Sequence, residues 1–145
     1  MQTHILITGA SRGIGAAIAA ALTTDATKVV AVSSADGDLS DPAVPARLWQ
    51  RSLDRLDGRI DVLVNNAGVF EENPLDGTDA DWLAAWHRTM QINLTASADL
   101  CRRAILHWQD HASEGRIVNI ASRAAHRGDS PAHWHYAASK AGMVA

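Results

Sequence analysis

The stretch Thr8 to Gly15, "TGASRGIG", constrains this chain more than any other. It follows a short apolar run, "HILIT" at 4–8, and opens an alanine-rich segment, "GIGAAIAAAL" at 13–22. The first reads as a buried strand and the second as a helix. Gly9 lets the chain turn sharply out of the strand. Gly13 removes a side chain where a phosphate group must approach the backbone. Gly15 lets the helix pack close to the sheet. The free N–H groups at the start of such a helix attract negative charge. Three glycines alone describe any tight turn, and their spacing here is G-x-x-x-G-x-G. Their position between a first strand and a first helix is what points to a dinucleotide's pyrophosphate.

The remaining chain repeats the alternation. "KVVAV" (28–32) reads as a second strand, rich in β-branched residues. "SSADGDLSDP" (33–42) is turn chemistry, with Asp41 expected as N-cap and Pro42 at the first position of a helix running through Leu48, Leu53 and Leu56. "IDVLVN" (60–65) is a third strand, and 78–108 is expected as one long helix opened by a Thr78–Asp81 capping box. "GRIVNI" (115–120) is a fourth strand, and the residues from Tyr136 onward begin another helix. Strands apolar on both faces and separated by helices argue for an α/β, Rossmann-like, doubly wound parallel sheet of about four strands.

Five segments then stand in order: "TGASRGIG", "NNAG" (65–68), Asn93 in "MQINLT", "RIVNIAS" ending at Ser122, and Tyr136-x-x-x-Lys140. Together they resemble the short-chain dehydrogenase/reductase family over essentially the whole chain. The resemblance implies a carbonyl–alcohol oxidoreductase using NAD(H) or NADP(H). It implies Tyr136 as acid/base, Lys140 as the cation that stabilises its phenolate and holds the nicotinamide ribose, Ser122 as donor to the substrate oxygen, and Asn93 as anchor of a proton-relaying water. Lys140 lies one helical turn after Tyr136, so the two side chains share a face. For the cofactor it implies Gly9, Ser11, Arg12, Gly13, Ile14 and Gly15 at the pyrophosphate. Ser33, Asp38, Leu39, Asn65, Ala67 and Gly68 follow along the adenosine side, with Tyr136 and Lys140 at the other end. It also implies that 1–145 is a dinucleotide-binding domain incomplete at its C-terminus, the chain ending inside the helix of Tyr136 and Lys140.

Departures from the family pattern are informative. After the second strand, "SSADG" leads almost directly to Asp38-Leu39, so the family's next helix and third strand are missing. The position where NAD-dependent members carry an Asp for the ribose 2′-OH holds Ser33, and Arg12 is available to pair with a 2′-phosphate. NADP(H) is therefore favoured, with NAD(H) possible because Asp36 lies three residues on. The interval from Ser122 to Tyr136 is one residue longer than the family's commonest, which makes Ser130 a rival for the serine role.

Composition narrows the remaining classes. A formal net charge of −3, with no Lys/Arg-rich run, gives no nucleic-acid footprint. The single Cys101 permits no internal disulfide and fits a reducing compartment; with no signal sequence and no run able to span a bilayer, the cytoplasm is expected. His107/His111 and His133/His135 are candidate metal pairs, but each lacks a third ligand, and no metal site is expected. Trp82 and Trp86 share a helix face, either packed in the core or buried between subunits of a homo-oligomer formed through 79–108 and 136–145. The alternatives to an enzyme are a catalytically silent nucleotide-binding domain and an assembly subunit with an exposed sheet edge.

Overall fold

A computed structural model describes residues 2–145. Four parallel strands form one sheet: β1 (Thr3–Thr8), β2 (Thr27–Val32), β3 (Val62–Asn65) and β4 (Arg116–Asn119), in the spatial order β2-β1-β3-β4. The register places Leu6 beside Val30 on one side and Leu63 on the other, and Ile7 beside Ala31 and Val64. Alternation then sorts the side chains between two faces. Leu6, Val30, Val32 and Leu63 pack under α2 (Val44–Arg55) and α4 (Ala96–Asp110), through Val44, Leu48, Trp49, Leu100 and Ala104. Ile5, Ile7 and Val64 pack under α1 (Gly13–Leu22), through Ile18, Ala19 and Leu22.

The strand order creates the site. From β1 the chain winds through α1 to β2, then returns through α2 to β3 on the opposite side of β1. The direction of winding reverses between β1 and β3, and a crevice opens beyond their C-terminal ends, where sheets of this kind bind ligands. Among the described residues no further strand pairs with β2 on its outer side, in keeping with the missing third strand. At the other edge Val118 of β4 is 44% exposed.

Three local expectations change. α2 begins at Val44 with Pro45 in its first turn. Asp41 instead closes a turn just before it, its Oδ1 accepting the Ala43 N–H at 2.8 Å. The long helix is two helices, α3 (Asp79–Met90) and α4, joined by a π-helical turn over Gln91–Thr95. Such turns gather at functional positions, and this one carries Asn93. The Thr78 cap holds, its Oγ1 accepting the Asp81 N–H at 3.1 Å. Finally, the last helix starts earlier, as α6 (Trp134–Val144), after the single-turn α5 (Ala124–Arg127) and a 3₁₀ turn at Pro131–His133. α6 packs on α3, α5 and the π turn.

Candidate active site

The glycine loop and the "NNAG" segment are tied together by short polar contacts. Thr8 Oγ1 accepts the N–H groups of Asn66 (3.1 Å) and Ala67 (3.0 Å). The Asn66 Nδ2 donates to the carbonyls of Thr8 (3.1 Å) and Gly9 (2.9 Å). Gly9 has φ +65°, and a Cβ there would sit 2.6 Å from the Ala67 Cα. A side chain at this crossing is excluded on both counts. Gly13 is different: φ is +56°, yet nothing lies within 4 Å of where its Cβ would be. That open space sits at the start of α1, whose N-cap Arg12 makes no side-chain capping bond and whose first turn holds no acidic residue. Uncapped N–H groups beside an empty cradle suit a pyrophosphate.

These elements border a cleft of about 390 Å³. Gly9, Ser11, Arg12, Gly13, Ile14, Ser33, Asp38, Leu39, Ala67 and Gly68 all line it. Four expected contributors, Gly15, Asn65, Tyr136 and Lys140, do not: Tyr136 lines a separate cavity and Lys140 is buried. Gly15 is buried beneath the loop, where it permits the approach of Gly9 and Asn66. Asn65 is fully buried in the sheet, its Nδ2 bonded to Asn119 Oδ1 (2.9 Å) and Cys101 Sγ (3.2 Å). A residue at the end of a strand points to one face, and that of Asn65 is the helix-covered one. The cleft also takes in Thr8, Ser34, Asn66, Val69, Arg88 and Ile92, which the sequence did not single out. Thr8 precedes Gly9 and Asn66 lies within the "NNAG" segment, so their hydrogen-bonding side chains were the available signal; Arg88 carries none. Arg88 reaches Glu71 (3.4 Å) and Asp38 (4.0 Å) across the cleft mouth. Asp38 Oδ1 accepts the Ser40 N–H, which, ahead of Arg88, holds its carboxyl below the usual range. Asp36 is turned to the backbone, Oδ2 accepting the Ser33 N–H at 2.8 Å.

A second cavity, of about 310 Å³, brings together Ser122 and Tyr136 with Phe70, Arg123, Arg127 and Asp129. The Ser122 Oγ accepts the Ala124 N–H at 3.1 Å, which leaves its own proton free to donate. The Phe70 ring stands edge-on to Tyr136, centroids 4.7 Å apart, and stacks on His133 at 4.0 Å. Ser130 bonds His133 Nδ1 at 2.8 Å, and it is absent from the cavity wall that holds Ser122.

Lys140 and Asn93 lie behind both cavities. The Lys140 Nζ is over the Tyr136 ring, 6.0 Å from its centroid, and donates to the Ile120 carbonyl at 2.9 Å. With only 4% of the residue exposed, burial pushes the Lys140 ammonium below its ordinary pKa. The Asn93 side chain clamps Val69, accepting its N–H at 2.8 Å and donating to its carbonyl at 3.0 Å, and donates to Ser139 Oγ at 3.2 Å. Gly68 joins the two regions: a Cβ on it would lie 3.6 Å from Lys140 Nζ and 3.4 Å from Asn93 Oδ1. Next to Tyr136, buried His135 packs on Trp86 at 6.5 Å, and Trp86 stacks on Trp82 at 5.3 Å. Trp86 thus packs against α6, and both tryptophans are half-buried. Burial, and after it His133, lower the His135 pKa from its ordinary value. The rings of His107 and His111 lie 4.3 Å apart at the end of α4. Among the described residues no helix is long and apolar enough to cross a membrane.

Comparison with known proteins follows the same lines. A family model described as short chain dehydrogenase matches residues 32–145. The chain is 34% identical to the short chain dehydrogenase adrF of Penicillium roqueforti, covering 97% of this chain and 59% of that one. It is 35% identical to a 3-oxoacyl-[acyl-carrier-protein] reductase of Synechocystis, covering 96% of this chain and 63% of that one. It therefore spans about three fifths of the length of these curated relatives. A solved 4-hydroxyisoleucine dehydrogenase complexed with NADH superposes with a TM-score of 0.85 at 27% identity, covering 99% of this chain and 65% of that one. With the glycine loop at the winding reversal and the family match over most of its length, this chain belongs to the short-chain dehydrogenase/reductase family.

Proposed function

We propose that the protein interconverts a carbonyl compound and an alcohol with a nicotinamide dinucleotide, using Tyr136 as proton donor and acceptor. The observation that carries this reading is that Tyr136 lines one cavity with Ser122 while the buried Lys140 Nζ lies 6.0 Å from the centre of its ring. The glycine-loop cleft would hold the dinucleotide: the N-terminal N–H groups of α1 and the space at Gly13 at the pyrophosphate, Asp38 and Leu39 at the adenine side, and Gly68 toward the ring. When bound, the nicotinamide supplies or accepts the hydride. Ser122 donates a hydrogen bond to the substrate oxygen and polarises it. Tyr136 passes its phenolic proton to that oxygen in reduction and takes it back in oxidation. Lys140 stabilises the phenolate through space, its charge little screened in a buried position. Asn93 fixes the Val69 backbone, and with it the segment carrying Gly68.

NADP(H) is the preferred form in this proposal. Ser33 and Arg12 line the cleft where a 2′-phosphate would sit, and the Asp36 carboxylate is engaged by the Ser33 N–H. The NADH complex of the 4-hydroxyisoleucine dehydrogenase favours the second reading, NAD(H). A homodimer through α3, α4 and α6 is part of the proposal, supported by exposed Leu83, Ile105, Leu106 and Val144; sedimentation velocity tests it.

Titration of the tryptophan fluorescence with NADPH and NADH tests cofactor binding and preference. Loss of NADPH absorbance against a panel of ketones and aldehydes tests turnover. Tyr136→Phe should abolish turnover and leave cofactor affinity within about twofold, since it removes one proton and little shape. Retained turnover refutes the acid/base role.

A further inference from the structure

The cavity shared by Ser122 and Tyr136 carries charges that proton transfer does not use. Arg123, the N-cap of the short helix α5, and Arg127, its last residue, stand about one turn apart, and both line the same cavity. Both are exposed, and among the described residues neither forms an ion pair. The carboxylate in the same wall, Asp129, has one oxygen occupied by the Ser130 N–H at 2.8 Å and is partly buried. The Ser122 Oγ accepts the Ala124 N–H at the start of α5, and Gly128, at φ +75°, turns the chain immediately after it. The arginines thus lie in the wall that Ser122 and Tyr136 share, and Phe70 supplies its apolar part.

We infer that the substrate is a small carbonyl compound carrying a carboxylate, bound by the guanidinium groups of Arg123 and Arg127. This rests on the proposed carbonyl–alcohol activity and names its substrate class. Guanidinium forks match carboxylates in two-point hydrogen bonds. Two arginines and one aspartate leave one positive charge in excess, which suits a monoanion better than a phosphate dianion.

The test uses the full chain loaded with cofactor. Pyruvate, acetoacetate and 4-oxopentanoate place the carbonyl at increasing distances from the carboxylate; each is titrated against its methyl ester, and dihydroxyacetone phosphate serves as the phosphate arm. At least one acid should bind about tenfold more tightly than its ester, the least that one charge-assisted hydrogen bond supplies. The ratio should fall toward one in the Arg123→Gln/Arg127→Gln double variant and shrink with added salt. It should be unchanged in Arg102→Gln, an exposed arginine of α4. Equal binding of acids and esters overturns the inference, as does a preference that survives the double variant, tighter binding of the phosphate, or no binding of any compound. If cofactor itself does not bind, the underlying reading fails and this one with it. If cofactor binds and the acids show no preference, only the carboxylate assignment falls.

Discussion

Gly9 and Gly13 both adopt positive φ, +65° and +56°, but their surroundings differ, and replacing each by alanine separates fold from function. A left-handed conformation costs a residue with a Cβ about 1–2 kcal/mol. Gly13→Ala carries that cost alone, because nothing lies within 4 Å of the new methyl. Gly9→Ala adds an overlap, 2.6 Å from the Ala67 Cα and 2.9 Å from its nitrogen, both backbone atoms. Relieving such a clash costs about 1–3 kcal/mol more and must pull β1 away from the segment after β3. Urea denaturation should therefore place Gly9→Ala about 2–5 kcal/mol below wild type and Gly13→Ala only about 1–2 kcal/mol below. Affinity for NADPH should show a separate pattern. The Gly13 methyl occupies the space assigned to the pyrophosphate, so this nearly native variant should lose cofactor binding by about tenfold or more, the equivalent of one charge-assisted hydrogen bond. Undiminished binding by Gly13→Ala would remove the cradle from the site. Equal stabilities of the two variants would refute the contact argument at Gly9.

Three further outcomes are expected. Lys140 has a folded-state pKa below its unfolded one, so above the folded value the unfolded chain binds more protons and stability rises with pH, up to the unfolded pKa of about 10.4; Lys140→Met, measured by urea denaturation from pH 7 upward, should lack that rise. Asn66→Asp turns a donor that meets two carbonyl oxygens into an acceptor, and should cost about 1–3 kcal/mol with most of the cofactor affinity; wild-type stability would show that the amide does not hold the crevice. Thr78→Ala removes the α3 cap and should cost about 1 kcal/mol by thermal or urea denaturation, with cofactor affinity untouched.

Much of this protein is written locally. The four strands, the α1 helix and the Thr78 cap follow from apolar runs, alanine content and one capping pair, because those signals act over a few residues. That Tyr136 and Lys140 share a helix face was equally legible from spacing, since residues four apart do so wherever the helix goes; Ser122 was picked out only by the family resemblance. The start of α2 was not: Pro42 and Pro45 both suit a first turn, and burial of Val44, Leu48 and Trp49 against the sheet selects the later one. Nor was the π turn at Asn93, which depends on packing between α3, α4 and α6 that no short segment encodes. Asn65 shows the same limit, because the side a strand-end residue faces depends on the register β3 takes against its neighbours. The tertiary structure alone decided that the chain reverses its winding at β1, that Lys140 is buried with a backbone carbonyl for a partner, and that Arg123 and Arg127 share a cavity with Tyr136. Sequence states which groups are present and how far apart they lie along the chain. Only the packed fold sets how close they come and how much water lies between them, and those two quantities govern their chemistry.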